Sequence, residues 1–359
     1  MSTNNDFIVV ITNRTGDYIS PFNKENLYCF EPLYQILKYN LQEYCNIPDE
    51  NFFSEICGVP EDKENLPVLL ILQDCFDITK KSVDGIIEEY KSAGNIEICT
   101  ANKKIIAKMY KSGNSYFKNH FVSYVPVLNF RELRERNQKA QKDIIKEYEE
   151  KGVQFVSLDG AGISPFAKIE PGAVIYQGTI IRGKSHIGKN TVLGPNTLIE
   201  NSDIGDNCII NSAQIYSSVI EDNVKIGPFC HIRPNCVIKS GVKIGDFVEV
   251  KNSNIGENTH ASHLTYIGDS DVGKNVNFGC GTVTVNYDGI KKARCTVGDG
   301  AFIGCNTNLV APVTIGEDGY TAAGSTITRD VPADSLAVSR AKEQRIIEHW
   351  VSKRKNRQK

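Results

Sequence analysis

Between residues 231 and 325 the chain concentrates side chains able to move protons and hold anions. The richest stretches are His231-Ile-Arg-Pro234, Phe247-Val-Glu-Val-Lys251, His260-Ala-Ser-His-Leu-Thr-Tyr-Ile-Gly-Asp269 and Asn275-Val-Asn-Phe-Gly-Cys-Gly-Thr-Val-Thr-Val-Asn-Tyr-Asp-Gly289. Ala301-Phe-Ile-Gly-Cys-Asn306, Leu309-Val-Ala-Pro312 and Ala322-Ala-Gly-Ser325 follow. Imidazole titrates nearest neutrality and suits a general base. His231, His260 and His263 fall here, of which His231 and His260 read as structural or supporting, and a carboxylate such as Glu249 can orient and polarise an imidazole. Arg233 and Lys251 supply the planar and point-charge donors that a phosphate takes. Other chemistries stay open on residue type alone. Three histidines converging on one point would make a zinc site. An activated cysteine, Cys280 or Cys305, would make a nucleophile. A lone histidine or a surface lysine is also, as often as not, purely structural.

The element that must position these groups announces itself by a six-residue period. Blocks open at Ile169, Ile175, Ile181, Ile187 and Leu193, and after a five-residue offset at Ile204 and Ile210. The rhythm is clear again at Ile226, Ile232, Ile238, Ile244 and Val250, with five-residue steps to Ile255 and from Ile267 to Val272. Val297, Ile303, Leu309, Ile315, Thr321 and Ile327 close the series. A short fixed period marks a solenoid whose coils bury their aliphatic stripe only by stacking. Gly, Asn and Asp at the block ends tolerate the corner geometry. Three blocks make one coil of about 18 residues, so residues 165–332 predict about nine coils. Thr284 to Thr296 breaks the period with a polar, basic loop, and loops on rigid scaffolds tend to carry function.

The hexapeptide pattern resembles the left-handed parallel β-helix acyltransferases. The stretches quoted above further resemble, in order and in register over about residues 220–342, the acetyltransferase half of the bifunctional N-acetylglucosamine-1-phosphate uridyltransferase/glucosamine-1-phosphate N-acetyltransferases. The shared motifs are Arg-Pro, Phe-Val-Glu-x-Lys, His-Leu-x-Tyr-x-Gly-Asp and Asn-x-Gly-x-Gly-Thr-x-x-x-Asn-Tyr-Asp-Gly. The resemblance implies acetyl-CoA as co-substrate and a homotrimer with sites between subunits. It makes His263 the base and Glu249 its orienting carboxylate. Arg233, Lys251 and Lys292 match phosphate contacts, and Tyr266 and Asn277 match sugar contacts. Cys280, Asn286, Tyr287, Cys305, Ala323 and Arg340 match coenzyme contacts. Cys280 and Cys305 stand where many relatives have Ala or Ser. The reaction implied is N-acetylation of glucosamine-1-phosphate on the route to UDP-N-acetylglucosamine, a cell-wall precursor. A different amino-sugar phosphate or sugar nucleotide, or a non-catalytic trimeric scaffold, are the competing readings.

Residues 1–128 read differently. Strands are expected at Phe7–Ile11, Val68–Leu72 and Ile96–Thr100, with helices at Leu33–Tyr44 and Thr79–Ser92. This alternation predicts a small α/β unit with a parallel sheet. The family's uridyltransferase half opens with a Gly-rich loop, whereas Ile11 to Phe22 holds one glycine. Asp74 and Asn129 match possible magnesium-site positions, so the resemblance implies a reduced, degenerate nucleotidyltransferase-like domain, with magnesium relevant only if that site is active. Residues 129–151 are expected to form a connecting helix, 152–338 the β-helix, and 339–359 a helix from Ser339 and a basic tail.

Composition sets the remaining bounds. Lys and Arg number 41 against 43 Asp and Glu, so bulk charge gives no reason to expect nucleic-acid binding. The longest apolar run, Pro67 to Leu72, is far short of the ~20 residues of a membrane span. The first residues lack a basic and an apolar segment of the secretory kind. Eleven scattered cysteines without a Cys-x-x-Cys pair suit free thiols in a reducing cytoplasm. Small-molecule substrates are the expected partners.

Overall fold

In a computed structural model of the chain, residues 130–341 and 348–350 are described; before residue 130 the description covers strand and helix segments between residues 8 and 121. The chain divides into two compact units, Met1–Glu147 with Gly162–Pro165, and Tyr148–Ala161 with Phe166–Lys359. Among the described residues no helix is long and apolar enough to cross a membrane.

The first unit holds a six-stranded sheet. In spatial order its strands are Lys118–Phe121, Ile96–Cys99, Ile105–Tyr110, Val68–Leu72, Ile8–Thr12 and Phe52–Phe53. The sheet is mixed rather than parallel, because Ile105–Tyr110 runs antiparallel to both of its neighbours. Only residues 100–104 join it to Ile96–Cys99. A parallel return needs a crossover of a dozen or more residues, so so short a link forces a hairpin. Helix α1 (Lys80–Ala93) buries Val83, Ile86 and Ile87, one face at helical spacing, and packs on Ile96–Cys99. Asp74 and Asn129 lie outside the described residues.

Helix α2 (Phe130–Glu150) is polar on most faces and buries Leu133, Gln141 and Ile145. Gln141 does the work of a strand edge. Its amide nitrogen donates to the Ile163 carbonyl at 2.9 Å and its amide oxygen accepts the Ile163 N–H at 2.8 Å. Both backbone groups of an otherwise open first strand are thereby satisfied.

The second unit is a left-handed parallel β-helix with three sheets of eleven, ten and nine strands. Successive coils pair in register: Ile187 on Ile204, Ile204 on Ile220, Ile220 on Ile238, Ile238 on Ile255. These inward aliphatics are essentially inaccessible. The stack also runs through Ile215 and Ile220, bridging the stretch where the sequence rhythm is weakest. Buried hydroxyls tie coil to coil, as where Thr191 and Thr259 each donate to the next coil's backbone at 2.8 Å. The ladder continues past Pro332: Leu336–Ala337 pairs with Tyr320–Thr321, and the Thr326 N–H donates to the Ser339 carbonyl at 3.2 Å. That pairing holds Ser339–Ala341 out of the helix expected there.

Candidate active site

One sheet carries the anion-binding candidates. Strand Glu249–Lys251 lies between His231–Ile232 and Tyr266–Gly268, with His231, Glu249 and Tyr266 in one register row. The Arg233 N–H donates to the Val250 carbonyl at 2.8 Å, which sets Arg233 one coil from Lys251. Like charges in adjacent coils repel unless carboxylates answer them. Two do. Arg233 Nη1 donates to Glu249 Oε1 at 3.0 Å, and Lys251 Nζ donates to both Asp269 oxygens at 3.1 and 3.4 Å.

Asp269 is the buried hub. Its Oδ1 also accepts from Asn252 Nδ2 at 2.5 Å, and its Oδ2 accepts from Asn286 Nδ2. Burial pushes the Asp269 carboxyl up. The hydrogen bonds from Asn252, Lys251 and Asn286 together outweigh it and hold the group below the usual carboxylate range. Burial likewise pulls Lys251 down, but the Asp269 carboxylate holds it above the usual ammonium value. The Tyr266 hydroxyl accepts from Asn286 Nδ2 at 3.4 Å. Gly268 makes room for this: a Cβ there would stand 2.3 Å from the Tyr266 hydroxyl and 2.8 Å from Asn286 Nδ2.

The period-breaking loop closes over the same groups. The register step from Val272 to Val297 takes 25 residues, where that from Ile255 to Val272 takes 17 and that from Val297 to Ile315 takes 18. The excess forms a tight hairpin. Tyr287 bridges Lys292, and Asp288 Oδ1 accepts the Ile290 and Lys291 N–H groups at 2.8 and 2.7 Å. Arg294 pins its base: Nε and Nη2 grip Asp271 at 2.9 and 2.7 Å, and Nη1 and Nη2 reach the Asn252 and Ser270 carbonyls at 3.0 Å. The bidentate grip is the strong form of such a contact. Lys292, so held, has its ammonium pushed below the usual value by Lys251 first, with Arg233 adding to the effect. Arg233, Lys251 and Lys292 thus form one cationic cluster that an anion would stabilise.

The adjacent corner carries His263. His263 ends strand His260–His263 and Tyr266 begins the next face, with Leu264 at the bend. Asp246 pairs with His263 in register, and its Oδ2 lies 3.8 Å from His263 Nδ1, an electrostatic contact longer than a hydrogen bond. Below His263 come Cys280, Cys305 and Ala323 at the equivalent positions of the next three coils. Phe278 pairs with Ile303 and Ile303 with Thr321, each two residues before a member of this column. The Asn306 N–H donates to the Cys280 carbonyl and the Gly324 N–H to the Cys305 carbonyl, both at 2.8 Å. Arg340 Nη1 closes the column on the Ala323 carbonyl at 2.8 Å. Gly279 permits this approach, since a Cβ there would meet the Cys305 nitrogen at 2.5 Å. Coils repeat about every 4.8 Å, so His263 to Ala323 spans ~14 Å. The N–H groups of Cys280, Cys305 and Ala323 donate to no partner among the described residues.

Three apolar side chains line the corner between His263 and the cations. Phe229, Phe247 and Leu264 are 62%, 60% and 59% exposed, and all three adopt positive φ. The two rings stack at 5.5 Å.

The structure therefore gathers Arg233, Lys251, Tyr266, Asn286 and Lys292 in one place and His263, Cys280, Cys305, Ala323 and Arg340 in a column beside it. It departs from the sequence expectation at Glu249: that carboxylate pairs with Arg233, and the one beside His263 is Asp246. The reason is register, because residue 263 stacks on residue 246 whereas Glu249 begins the next face. Asn277 pairs with His260 and Phe302 on the sheet preceding the corner, away from the Arg233 and Lys251 sheet. Tyr287 is exposed on the loop, its hydroxyl donating to the Gly289 carbonyl at 2.6 Å. His231 stacks edge-on against Tyr216, on a different sheet from His260. Among the described residues no group of three His, Cys, Asp or Glu side chains gathers as a metal would need. Asp246, Asn252, Asp269 and Arg294 were not among the sequence candidates. Asp269 had a signal, closing the His-Leu-x-Tyr-x-Gly-Asp stretch; the other three look like turn and surface polarity.

Residues 217–252 match the family model described as bacterial transferase hexapeptide (six repeats). The chain is 50% identical to the bifunctional protein GlmU of Caldicellulosiruptor saccharolyticus over 267 residues, 74% of this chain and 56% of that protein. It is 47% identical to the bifunctional protein GlmU of Halalkalibacterium halodurans over 224 residues, 62% of this chain and 49% of that protein. Among solved structures, UDP-N-acetylglucosamine O-acyltransferase (LpxA) of Moraxella catarrhalis aligns over 49% of this chain and 71% of its own, with 23% identity and a TM-score of 0.23. The chain spans about half the length of the curated relatives it matches. Over the matched residues the chain is similar to these GlmU proteins, and it carries the bacterial transferase hexapeptide repeat.

Proposed function

We propose that the β-helix transfers the acetyl group of acetyl-CoA to the amine of glucosamine-1-phosphate, giving N-acetylglucosamine-1-phosphate. The observation that carries this reading is the juxtaposition of a cationic cluster, Arg233, Lys251 and Lys292, with a corner column that starts at His263. The cluster suits the sugar's phosphate. The column suits an extended coenzyme arm, with the row of free N–H groups facing its amide carbonyls and Arg340 at the far end.

In the reaction His263 takes a proton from the amino nitrogen as that nitrogen attacks the thioester carbonyl carbon. The C–N bond forms and the carbonyl oxygen becomes an oxyanion, for which the unpaired Cys280 N–H is a donor at the right corner. Collapse breaks the C–S bond, and the departing thiolate receives the proton held by His263. Asp246 stands in register beside His263, and Glu249 fixes the Arg233 guanidinium that faces the phosphate. No acyl-cysteine is required.

The same reading makes the assembly a homotrimer. Asn277 lies on the sheet before the corner, so it serves this sugar site best from a neighbouring copy. The exposed Phe229, Phe247 and Leu264 stripe suits burial against that copy. For the first unit we infer that it does not form UDP-N-acetylglucosamine, since the segment after its first strand lacks a Gly-rich cradle. Pyrophosphate release from UTP and N-acetylglucosamine-1-phosphate would overturn that inference.

The direct test is thiol release from acetyl-CoA with glucosamine-1-phosphate as acceptor, wild type beside His263→Ala. Release abolished by the substitution supports reaction and base together. No release by wild type would move the reading to another amino-sugar phosphate, a sugar nucleotide or a scaffold role.

A further inference from the structure

The chain's cysteines fall into two chemical kinds among the described residues. Cys208, Cys230, Cys236 and Cys295 are buried in the coil interior. Burial pushes the thiols of Cys208, Cys230 and Cys295 up to about 11, and raises Cys236 as well, so these four resist thiolate chemistry. Cys280 and Cys305 are exposed. They are also stacked neighbours, one coil apart at the same corner. Phe278 pairs with Ile303, and two residues on the Asn306 N–H reaches the Cys280 carbonyl at 2.8 Å. Adjacent coils set the two Cα atoms ~4.8 Å apart. That falls inside the ~4.4–6.8 Å window of disulfides. Gly281 and Gly304 beside them carry no side chains to crowd a bridge.

We propose that Cys280 and Cys305 form a vicinal dithiol that closes to an intramolecular disulfide by exchange with a low-molecular-weight disulfide. One thiolate attacks a sulfur of the small disulfide. A mixed disulfide forms, the small S–S bond breaks, and one small thiolate leaves. The second cysteine, as thiolate, then attacks the protein-bound sulfur, the Cys280–Cys305 bond forms, and the second small thiolate leaves. The protein loses two electrons and two protons, and the small disulfide is reduced to two thiols. The bridge lies in the column between His263 and Ala323. Its further consequence, that bridged protein binds acetyl-CoA poorly, rests on the reading of this column as the coenzyme path.

The test uses the full chain with oxidised glutathione as the probe, followed by alkylation and peptide mapping, which separates these two thiols from the other nine cysteines. The expected product is a Cys280–Cys305 peptide pair, two hydrogens lighter and free of glutathione, reopened by dithiothreitol. In Cys305→Ser, glutathione should stay on Cys280. Glutathione retained separately on both cysteines of the wild type, or both thiols alkylated with no bridge, overturns the proposal without reference to any variant's folding. Acetyl-CoA affinity of the bridged protein should fall at least tenfold and recover on reduction. A bridge that forms with affinity unchanged keeps the modification site and sinks the reading of the column as the coenzyme path.

Discussion

Two ion-pair pairings on the same sheet show how a repeat becomes a site. In the early coils Arg182 and Glu200 pair in register, and the charges meet directly at 3.3 Å, both side chains half-buried. In the later coils Arg233 and Lys251 are the neighbours, two cations; Glu249, on the strand of Lys251, answers Arg233, and Asp269, one coil on, answers Lys251. One of them, Asp269, is nearly inaccessible. The corners diverge too. Early left-handed positions are Asn190, Asn196, Asn207, Ser212 and Asn223, which tolerate positive φ, whereas Phe229, Phe247 and Leu264 do not do so cheaply. A scaffold that elsewhere obeys local preference departs from it in charge and in backbone within the same few coils. Such departures are expected where function sets the requirement.

The strongest way to break the contrast is at the base. His263→Ala should lower turnover about 10²–10⁴-fold. His263 is largely exposed, so the melting temperature should hold. A melting shift of several degrees with little loss of turnover would make His263 structural instead.

Next comes the buried carboxylate against the half-buried pair. Lys251→Met leaves Asp269 in a dry site without its cation and should destabilise the chain by about 2–3 kcal/mol. Arg182→Met removes a more accessible pair and should cost less, about 1 kcal/mol. Equal midpoints in denaturant for the two variants would erase the distinction.

The same hub predicts a pH response. The folded pKa of Asp269 lies below its ordinary 3.8, so its contribution is fully present above that value and is lost as pH falls through the folded pKa. Stability measured downward from pH 5 should fall more steeply for wild type than for Asp269→Asn. Parallel curves would remove Asp269 as the cause.

The corners give a smaller effect of mixed sign. Phe229→Asn with Phe247→Asn should relieve about 1 kcal/mol of left-handed strain per site in an isolated chain. It should also weaken self-association, read as a shift toward monomer in light scattering. Unchanged assembly would free the stripe from an interface role. Least of all, Gly268→Ala should raise the KM for the sugar phosphate several-fold by displacing Tyr266, with kcat less affected.

How much of this was legible from residue order depends on distance along the chain. The coil period and the inward aliphatics were, because each is set by residues five or six apart. The motif residues were legible as a set, since Arg233, Lys251, Tyr266 and Asn286 recur at spacings that stacking converts into proximity. The mixed sheet of the first unit was not, although the five residues between Cys99 and Ile105 held the clue. Nor was the partner of Leu336–Ala337, which pairs with the open edge of Tyr320–Thr321.

Sequence alone therefore determined the solenoid, its bulged coil and the inventory of acids, bases and cations, because a stacked repeat translates local order into place. Only the tertiary structure decided which carboxylate serves which cation. Register put Asp246 rather than Glu249 beside His263 and buried Asp269 among Lys251, Asn252 and Asn286. It also stacked Cys280 on Cys305, 25 residues apart, because a single loop of variable length separates their coils. That loop length follows no period, so no spacing rule could have aligned them.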